Sequence, residues 1–386
     1  MNYRYEPAFI HPAIADAVRQ RVERSAEAIE GIEAQHAPGP ALVALVRHFG
    51  STGLLDLVVS RREGGAFPEV SSRALSVARE WLGWHSPLAD LAFAMQGLGS
   101  YPLTLAASPL LRERWLAEVR SGEAVAAFAI TEPGAGSDLS AISATATRDG
   151  DDYRLDGEKA WISNAPIADF FSIFVGTRPP GEPKRLTAFF LPKDAPGLSV
   201  QPTEVLGGHP IGALQLDGVR VPMSSRLGDE GEGMRLALST LSRFRTTVGA
   251  AAIGFAQRAL DESVRHVRNR RQFGAPLAEL QAVQLRLSEM AVAVETGRLL
   301  VGRAAKLADE GADRATTAHA SSMAKLEATE GAQRAIDHAV QLHGGLGVAS
   351  AGIVARLYQE VRALRIYEGT SDIQKMLIAR GLLRAE

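Results

Sequence analysis

The chain has 386 residues, 46% apolar and 22% charged, with 42 basic against 44 acidic side chains for a formal net charge of −2. That balance gives no electrostatic pull toward nucleic acid or an anionic membrane, and the lack of cysteine excludes disulfides, thiolate zinc sites, Fe–S clusters and a cysteine nucleophile. The length suits two or three domains; with no basic-then-apolar leader and no apolar run of about 18 residues, a soluble cytoplasmic protein is expected.

Residues 12–120 read as helices. Ile14, Val18, Val22 and Ile29 recur at helical spacing among charges. Pro38-Gly39-Pro40 predicts a break before a helix over 41–49, and Gly64-Gly65 with Pro68 predicts a loop. Helices are predicted over 72–84 and 88–97, the second apolar enough to be buried, and Pro109 suits the first turn of another. Near Glu123 the period changes. Short strands are predicted at 145–147 and 153–155, separated by Asp149-Gly150-Asp151-Asp152, and Asp156-Gly157 predicts a turn. Further strands fall at 170–175, 186–191, 198–200 and 213–221, with Pro179-Pro180-Gly181, Pro196-Gly197 and Gly207-Gly208 marking ends. This is a small β domain, a barrel or a sandwich. From Gly233 the helical period returns over 234–241, 246–268, 282–310, 316–342 and 353–366. Gly311 and Gly344-Gly345 stand where C-terminal caps belong, and the helices make a bundle.

The chain contains no Gly-x-x-x-x-Gly-Lys-Ser/Thr, no Gly-x-Gly-x-x-Gly between strand and helix, no His-Glu-x-x-His and no Gly-x-Ser-x-Gly, so no metal site is expected. What it does contain is Thr131-Glu132-Pro133-Gly134-Ala135-Gly136-Ser137-Asp138, either a nest for an electron-rich group or a capped loop. Lys159-Ala160-Trp161-Ile162-Ser163-Asn164 follows. In a strand Trp161 and Ser163 share a face, so indole and hydroxyl suit a flat heteroaromatic ring, unless Trp161 is core. Arg270-Arg271-Gln272-Phe273-Gly274 ends a helix with two cations, suited to phosphates or to the helix C-terminus itself. Finally, Arg365-Ile366-Tyr367-Glu368-Gly369-Thr370-Ser371-Asp372-Ile373-Gln374 interrupts a helical pattern. Thr370 or Ser371 can cap the next helix. Glu368 is either a solvated loop carboxylate or one aimed into a cavity.

Together these stretches, with Gly228-Asp229-Glu230-Gly231-Glu232-Gly233, resemble the acyl-CoA dehydrogenase family of flavoproteins over nearly the whole chain. The resemblance is strong over 126–164, 254–281 and 341–386 and weak before about Leu91, where 60–67 departs from the usual Pro-Glu-Glu-Tyr-Gly-Gly loop. It implies an α+β multidomain protein: an N-terminal all-α domain (1–123), a middle β-barrel domain (124–230) and a C-terminal four-helix bundle (231–386). It implies FAD bound between barrel and bundle of a homotetramer, with acyl-CoA as substrate and an electron-transfer flavoprotein as acceptor.

By the same resemblance Phe128, Ile130, Thr131, Gly136 and Ser137 line flavin and thioester. Trp161 packs on the isoalloxazine, and Ser163 replaces a threonine that hydrogen-bonds flavin N5. Arg270, Phe273, Gln281, Gln341, Gly344 and Gly345 touch a partner subunit's FAD, and Thr370 and Asp372 close over the adenosine diphosphate part of the bound FAD. Glu368 would be the base taking the α-proton, the β-hydride passing to N5 to leave a trans-2-enoyl thioester. Tyr367, Gly369, Arg245 and Phe244 would lie against substrate. Some members carry the base where Phe244 stands, and phenylalanine abstracts no proton. Ser242 replaces an aspartate that holds the CoA handle in many members. The alternatives are dehydrogenation of a carrier-protein-bound acyl group, an oxidase or monooxygenase on the same fold, and a flavin-binding protein without turnover.

Overall fold

The computed structural model describes residues 5–178 and 184–384. The helical first part comprises α1 (Pro12–Ala26), α2 (Ile29–Gln35), α3 (Pro38–Ser51), α4 (Ser72–His85), α5 (Pro87–Ala106) and α6 (Pro109–Ser121). Then come the strands β1 (Ala126–Ala129), β2 (Thr145–Asp149), β3 (Asp152–Ser163), β4 (Phe170–Thr177), β5 (Arg185–Pro192), β6 (Leu198–Pro202), β7 (Ile211–Pro222) and β8 (Arg226–Leu227). The last part holds α7 (Gly233–Asn269), a hairpin of β9 (Arg271–Gln272) and β10 (Ala275–Pro276), then α8 (Gln281–Asp309), α9 (Arg314–His343), α10 (Ile353–Leu364) and α11 (Ser371–Arg384). The element order follows the sequence reading. The predicted Pro179-Pro180-Gly181 turn lies outside the described residues.

The chain forms two compact units. One gathers the described residues of Met1–Ala26, Ser71–Asp90 and Ser242–Glu386; the other is Glu27–Val70 with Leu91–Leu241. In the first, α8 and α9 pack along each other and α4 lies against α1 and α8. The core there is rich in alanine: Ala252, Ala256, Ala304, Ala324, Ala328 and Ala335 are all buried. Small side chains let backbones approach closely, and a Cβ on Gly254 would stand 2.2 Å from the Glu80 carbonyl oxygen. Capping side chains set the helix starts. The Ser71 hydroxyl accepts from Ala74 N ahead of α4, and Asp313 accepts from Ala315 N and Thr316 N ahead of α9.

In the second unit the strand order is β6-β7-β3-β2-β4-β5-β8, with β1 pairing parallel to β4. The two longest strands, β3 and β7, run antiparallel, and the core is built from Tyr153, Phe171, Phe189 and the aliphatic residues around them.

Three local expectations are corrected. Pro38-Gly39-Pro40 is the first turn of α3 rather than a gap before it. Proline fits there because the first amides of a helix have no partner inside it. Asp156-Gly157 is not a turn, for β3 runs straight through it. The pairing register with β7 shifts between Leu155 and Gly157, and Gly157 has φ +132°. This is a bulge, which asks for the same residue types as a tight turn. Lastly, the runs 234–241 and 246–268 are one 37-residue helix, α7.

Candidate active site

In the second unit, Phe128 lies in β1 and Ile130 follows it, both buried. Thr131 is tied to β3 by the Ala160 N–H, which donates to the Thr131 carbonyl at 2.9 Å. The next four residues close on themselves. The Glu132 amide donates to the Ala135 carbonyl at 3.0 Å, and the Ala135 amide returns the bond at 3.1 Å. Gly136 and Ser137 then emerge exposed, and a Cβ on Gly136 would meet nothing within 4 Å.

The anchor of this loop was not singled out from the sequence. Glu132 is buried, and its carboxylate accepts from Lys159 Nζ at 2.7 Å, Ser143 N at 2.6 Å, Ser143 Oγ at 2.7 Å and Ala144 N at 3.1 Å. Burial works to raise its pKa, but Lys159 and Ser143 outweigh that and hold it below the usual carboxylate range. Burial brings the Lys159 ammonium down to about 8 against the pull of Glu132.

Two residues beyond Lys159 the strand is disturbed. Trp161 takes φ +59° and the register with β7 shifts between Lys159 and Ile162, so plain alternation does not carry from Trp161 to Ser163. The indole is 59% exposed, so Trp161 is not core. Asn164 is also left-handed, and its side-chain N–H donates to the Ala126 carbonyl at 3.1 Å.

In the first unit, α10 ends at Leu364 and the chain turns through Tyr367, Glu368, Gly369 and Thr370 into α11. Glu368 and Gly369 are successive left-handed residues, φ +52° and +94°. A glutamate there carries backbone strain that the surroundings must repay. They do so at each carbonyl. Arg245 Nε donates to the Glu368 carbonyl at 3.1 Å, while Lys325 Nζ and Gln374 Nε2 donate to the Gly369 carbonyl at 2.8 Å and 3.0 Å. Thr370 takes the capping role, its Oγ1 accepting from Ile373 N at 3.3 Å, whereas Ser371 donates to Glu330. Asp372 is exposed.

The Glu368 side chain is another matter. Its Oε2 is buried and has no hydrogen-bond partner among the described residues. Burial pushes its pKa up, opposed by Arg79, Arg245 and Lys325 and assisted by Asp90. Arg79 is itself held by Asp90 through a two-pronged contact at 2.8 and 2.7 Å. Burial also raises the Tyr367 phenol. Phe244, next to Arg245, is fully buried.

A third group sits at one end of the same unit. Arg270 follows α7 and shares an open groove of about 440 Å³ with Glu262, Arg265, His266, Asn269 and His343. His266 and His343 stack at 4.4 Å between centroids. Gly344 and Gly345 continue from there, exposed as Gln341 is. Phe273 tips the β9–β10 hairpin in a left-handed conformation, 94% exposed, and Gln281 begins α8. Of the expected residues, the structure therefore assembles three local groups: the 128–137 loop with the strand that carries Trp161 and Ser163, the 367–372 turn with Arg245, and the Arg270–Gly345 group. Glu132, Lys159, Arg79, Asp90 and Lys325 are additions from the structure.

An exposed tryptophan beside an open loop, and a buried carboxylate oxygen with unused lone pairs, fit a flat heteroaromatic cofactor and a proton to be removed. Sequence comparisons show the family. Residues 127–219 match the acyl-CoA dehydrogenase middle domain and 231–383 the acyl-CoA dehydrogenase C-terminal domain. The chain belongs to the acyl-CoA dehydrogenase family, FAD-dependent oxidoreductases acting on the CH–CH bond of an acyl-CoA. It is 33% identical over 386 residues to cyclohexane-1-carbonyl-CoA dehydrogenase of Geobacter metallireducens, covering 99% of each chain. It is 36% identical over 345 residues to the human mitochondrial short-chain specific acyl-CoA dehydrogenase, covering 89% of this chain and 83% of that one. Among solved structures it resembles glutaryl-coenzyme A dehydrogenase in complex with glutaryl-CoA, with TM-score 0.88, 31% identity and coverage of 99% and 97%. No helix among the described residues is long and apolar enough to cross a membrane.

Proposed function

We propose that Glu368 is the base of this dehydrogenase and removes the α-proton of the acyl thioester. The observation that carries this is the buried, partnerless Oε2 on a strained turn among three cations. A thioester α-proton is weakly acidic, so its base must be desolvated and aimed. Desolvation is what raises the Glu368 pKa, and a stronger base is the result. Arg79, Arg245 and Lys325 keep enough of it ionised to act. Among the described residues the Glu368 amide donates to no backbone carbonyl, which leaves it free to bind the developing enolate oxygen. Bound FAD supplies the hydride acceptor. Trp161 and Ser163 offer it a stacking face and a hydroxyl, the 131–137 loop offers open backbone, and Arg270 offers a cation for phosphate.

The three-domain division at 1–123, 124–230 and 231–386, the remaining site residues and an electron-transfer flavoprotein as acceptor belong to this same reading. So does a homotetramer, supported by Leu285, Val292 and Leu299, which stand seven apart on α8 and are all exposed in the single chain. Ser242 favours one second reading, a carrier-protein thioester in place of CoA. Anaerobic titration of the FAD-loaded protein with a panel of acyl-CoAs tests both. Bleaching of the flavin by one of them, slowed about a thousandfold or more in Glu368→Gln, is the expected result. Bleaching only by carrier-protein thioesters selects the second reading, and bleaching at the wild-type rate in Glu368→Gln overturns the base.

A further inference from the structure

Lys325 is a buried charge in the first unit whose hydrogen bond shows more than its pull on Glu368. It sits in α9, its residue is fully buried, and it makes no ion pair with a carboxylate among the described residues. Its hydrogen bond goes to a neutral acceptor, the Gly369 carbonyl, at 2.8 Å. An ammonium taken out of water and given only a carbonyl is expensive to keep, and burial accordingly lowers its pKa to about 8. A methionine would fill similar space at no such cost, so the charge calls for a function.

Geometry supplies one. The carbonyl it grips belongs to the residue after Glu368, in the second left-handed position of the turn. Arg245 grips the carbonyl before it. Two cations from two helices, α7 and α9, thus hold the two successive peptide planes that follow Glu368, the first of which carries the Glu368 carbonyl and the second the Gly369 carbonyl. Resting on the reading of Glu368 as base, we propose that Lys325 is a positioning residue of the reaction: it clamps the Gly369 carbonyl so that the strained turn presents the Glu368 carboxylate, and its buried charge faces that carboxylate through the same turn.

The charge matters because of what else faces Glu368. Arg79 on α4 and Asp90 on α5 form a neutralised pair. Arg245 comes from α7 and Tyr367 from the turn itself. Around Lys325, Glu330 and Arg365 are likewise engaged with each other, at 2.8 Å. Among the described residues Lys325 and Arg245 are therefore the cations beside Glu368 without a carboxylate of their own, and removing either charge makes Glu368 harder to ionise.

Two substitutions separate the clamp from the charge. Lys325→Gln keeps an N–H donor and loses the charge; Lys325→Met loses both. In each FAD-replete variant, two quantities are followed against pH: the rate of flavin reduction by the acyl-CoA that bleaches the wild type, and the protonation of the Glu368 carboxyl by infrared difference spectroscopy in substrate-free enzyme. The Glu368→Gln spectrum identifies the band. Both variants should move the infrared midpoint and the acid limb of the rate upward, so that reduction at pH 7 falls about tenfold. That loss should recover at high pH in Lys325→Gln and only partly in Lys325→Met. An unmoved infrared midpoint in both variants overturns the proposal, and if Lys325→Met does not fold, Lys325→Gln decides alone. Wild-type flavin reduction by Glu368→Gln would overturn the assignment of the base instead, and the infrared midpoint would still decide whether Lys325 acts on that carboxyl.

Discussion

Each unit holds a glutamate with a buried carboxylate oxygen, and the two are treated in opposite ways. Glu132 has four hydrogen bonds and a lysine against it. Glu368 has a buried oxygen with no partner, and its three cations touch its backbone or stand off from it. The pKa directions follow: Glu132 is held down and Glu368 is pushed up. A carboxylate whose acceptor sites are filled has nothing left to do chemically, so Glu132 is a peg that holds the 131–138 loop. A carboxylate left without partners in a dry place is suited to take up a proton, the role proposed for Glu368. Burial alone does not separate the two; what separates them is where the hydrogen bonds go.

The comparison can be broken most decisively through stability. Glu132→Ala strands Lys159 and the Ser143 and Ala144 amides, so chemical denaturation should show a loss of about 3–5 kcal/mol. The double substitution Glu132→Gln, Lys159→Met should recover much of it, because both charges then leave together. Glu368→Gln should cost nothing, or raise the melting temperature, since it removes a charge the fold does not satisfy. A comparable loss at both positions would refute the distinction.

A smaller effect lies in the pH dependence. The folded state holds the Glu368 proton to higher pH than the unfolded chain does. Its contribution to stability therefore falls as pH rises from the ordinary carboxylate pKa through the raised one. Glu132 runs the other way, its contribution being present above the ordinary value and lost as pH falls through the depressed one. Subtracting the stability curve of Glu368→Gln from that of the wild type should leave a difference that declines with pH across the first window. A flat difference would mean that Glu368 is hydrated after all.

The smallest effect on the fold is expected at Trp161. Its indole is exposed, so Trp161→Ala should change the stability of the FAD-free protein by no more than about 0.5 kcal/mol. Equilibrium dialysis should nevertheless show weaker retention of FAD. A large loss of apo stability would return Trp161 to the core.

Much of the architecture was legible because periodicity is local. Val354, Leu357, Val361 and Leu364 point to α10 without any knowledge of their neighbours, and Thr370 advertises its cap. The break at 366–370 was legible too, and with it Glu368. The surroundings of Glu368 were not. Arg79 and Asp90 lie far earlier in the chain and read as ordinary charges on helices, and Lys325 reads as a solvated lysine in an alanine-rich run. Only packing shows that these are buried. Asp156-Gly157 misled for a different reason, since bulges and hairpin turns make the same demand on the backbone. Trp161 was ambiguous because tryptophan serves cores and cofactors alike, and the left-handed backbone that turns it outward leaves no mark in residue type.

That backbone state recurs. Among the described residues, the non-glycine positions with positive φ are Trp161, Asn164, Phe273 and Glu368. Three of the four are residues the family resemblance assigns to cofactor or chemistry, and the fourth, Asn164, follows Ser163, which the resemblance also assigns to the cofactor. Each would be relaxed by glycine, so a screen that rewards thermal stability alone would be drawn to these positions. Clones improved in that way would survive heating and lose the proposed site. For anyone evolving this enzyme, selection for turnover has to accompany selection for robustness from the first round.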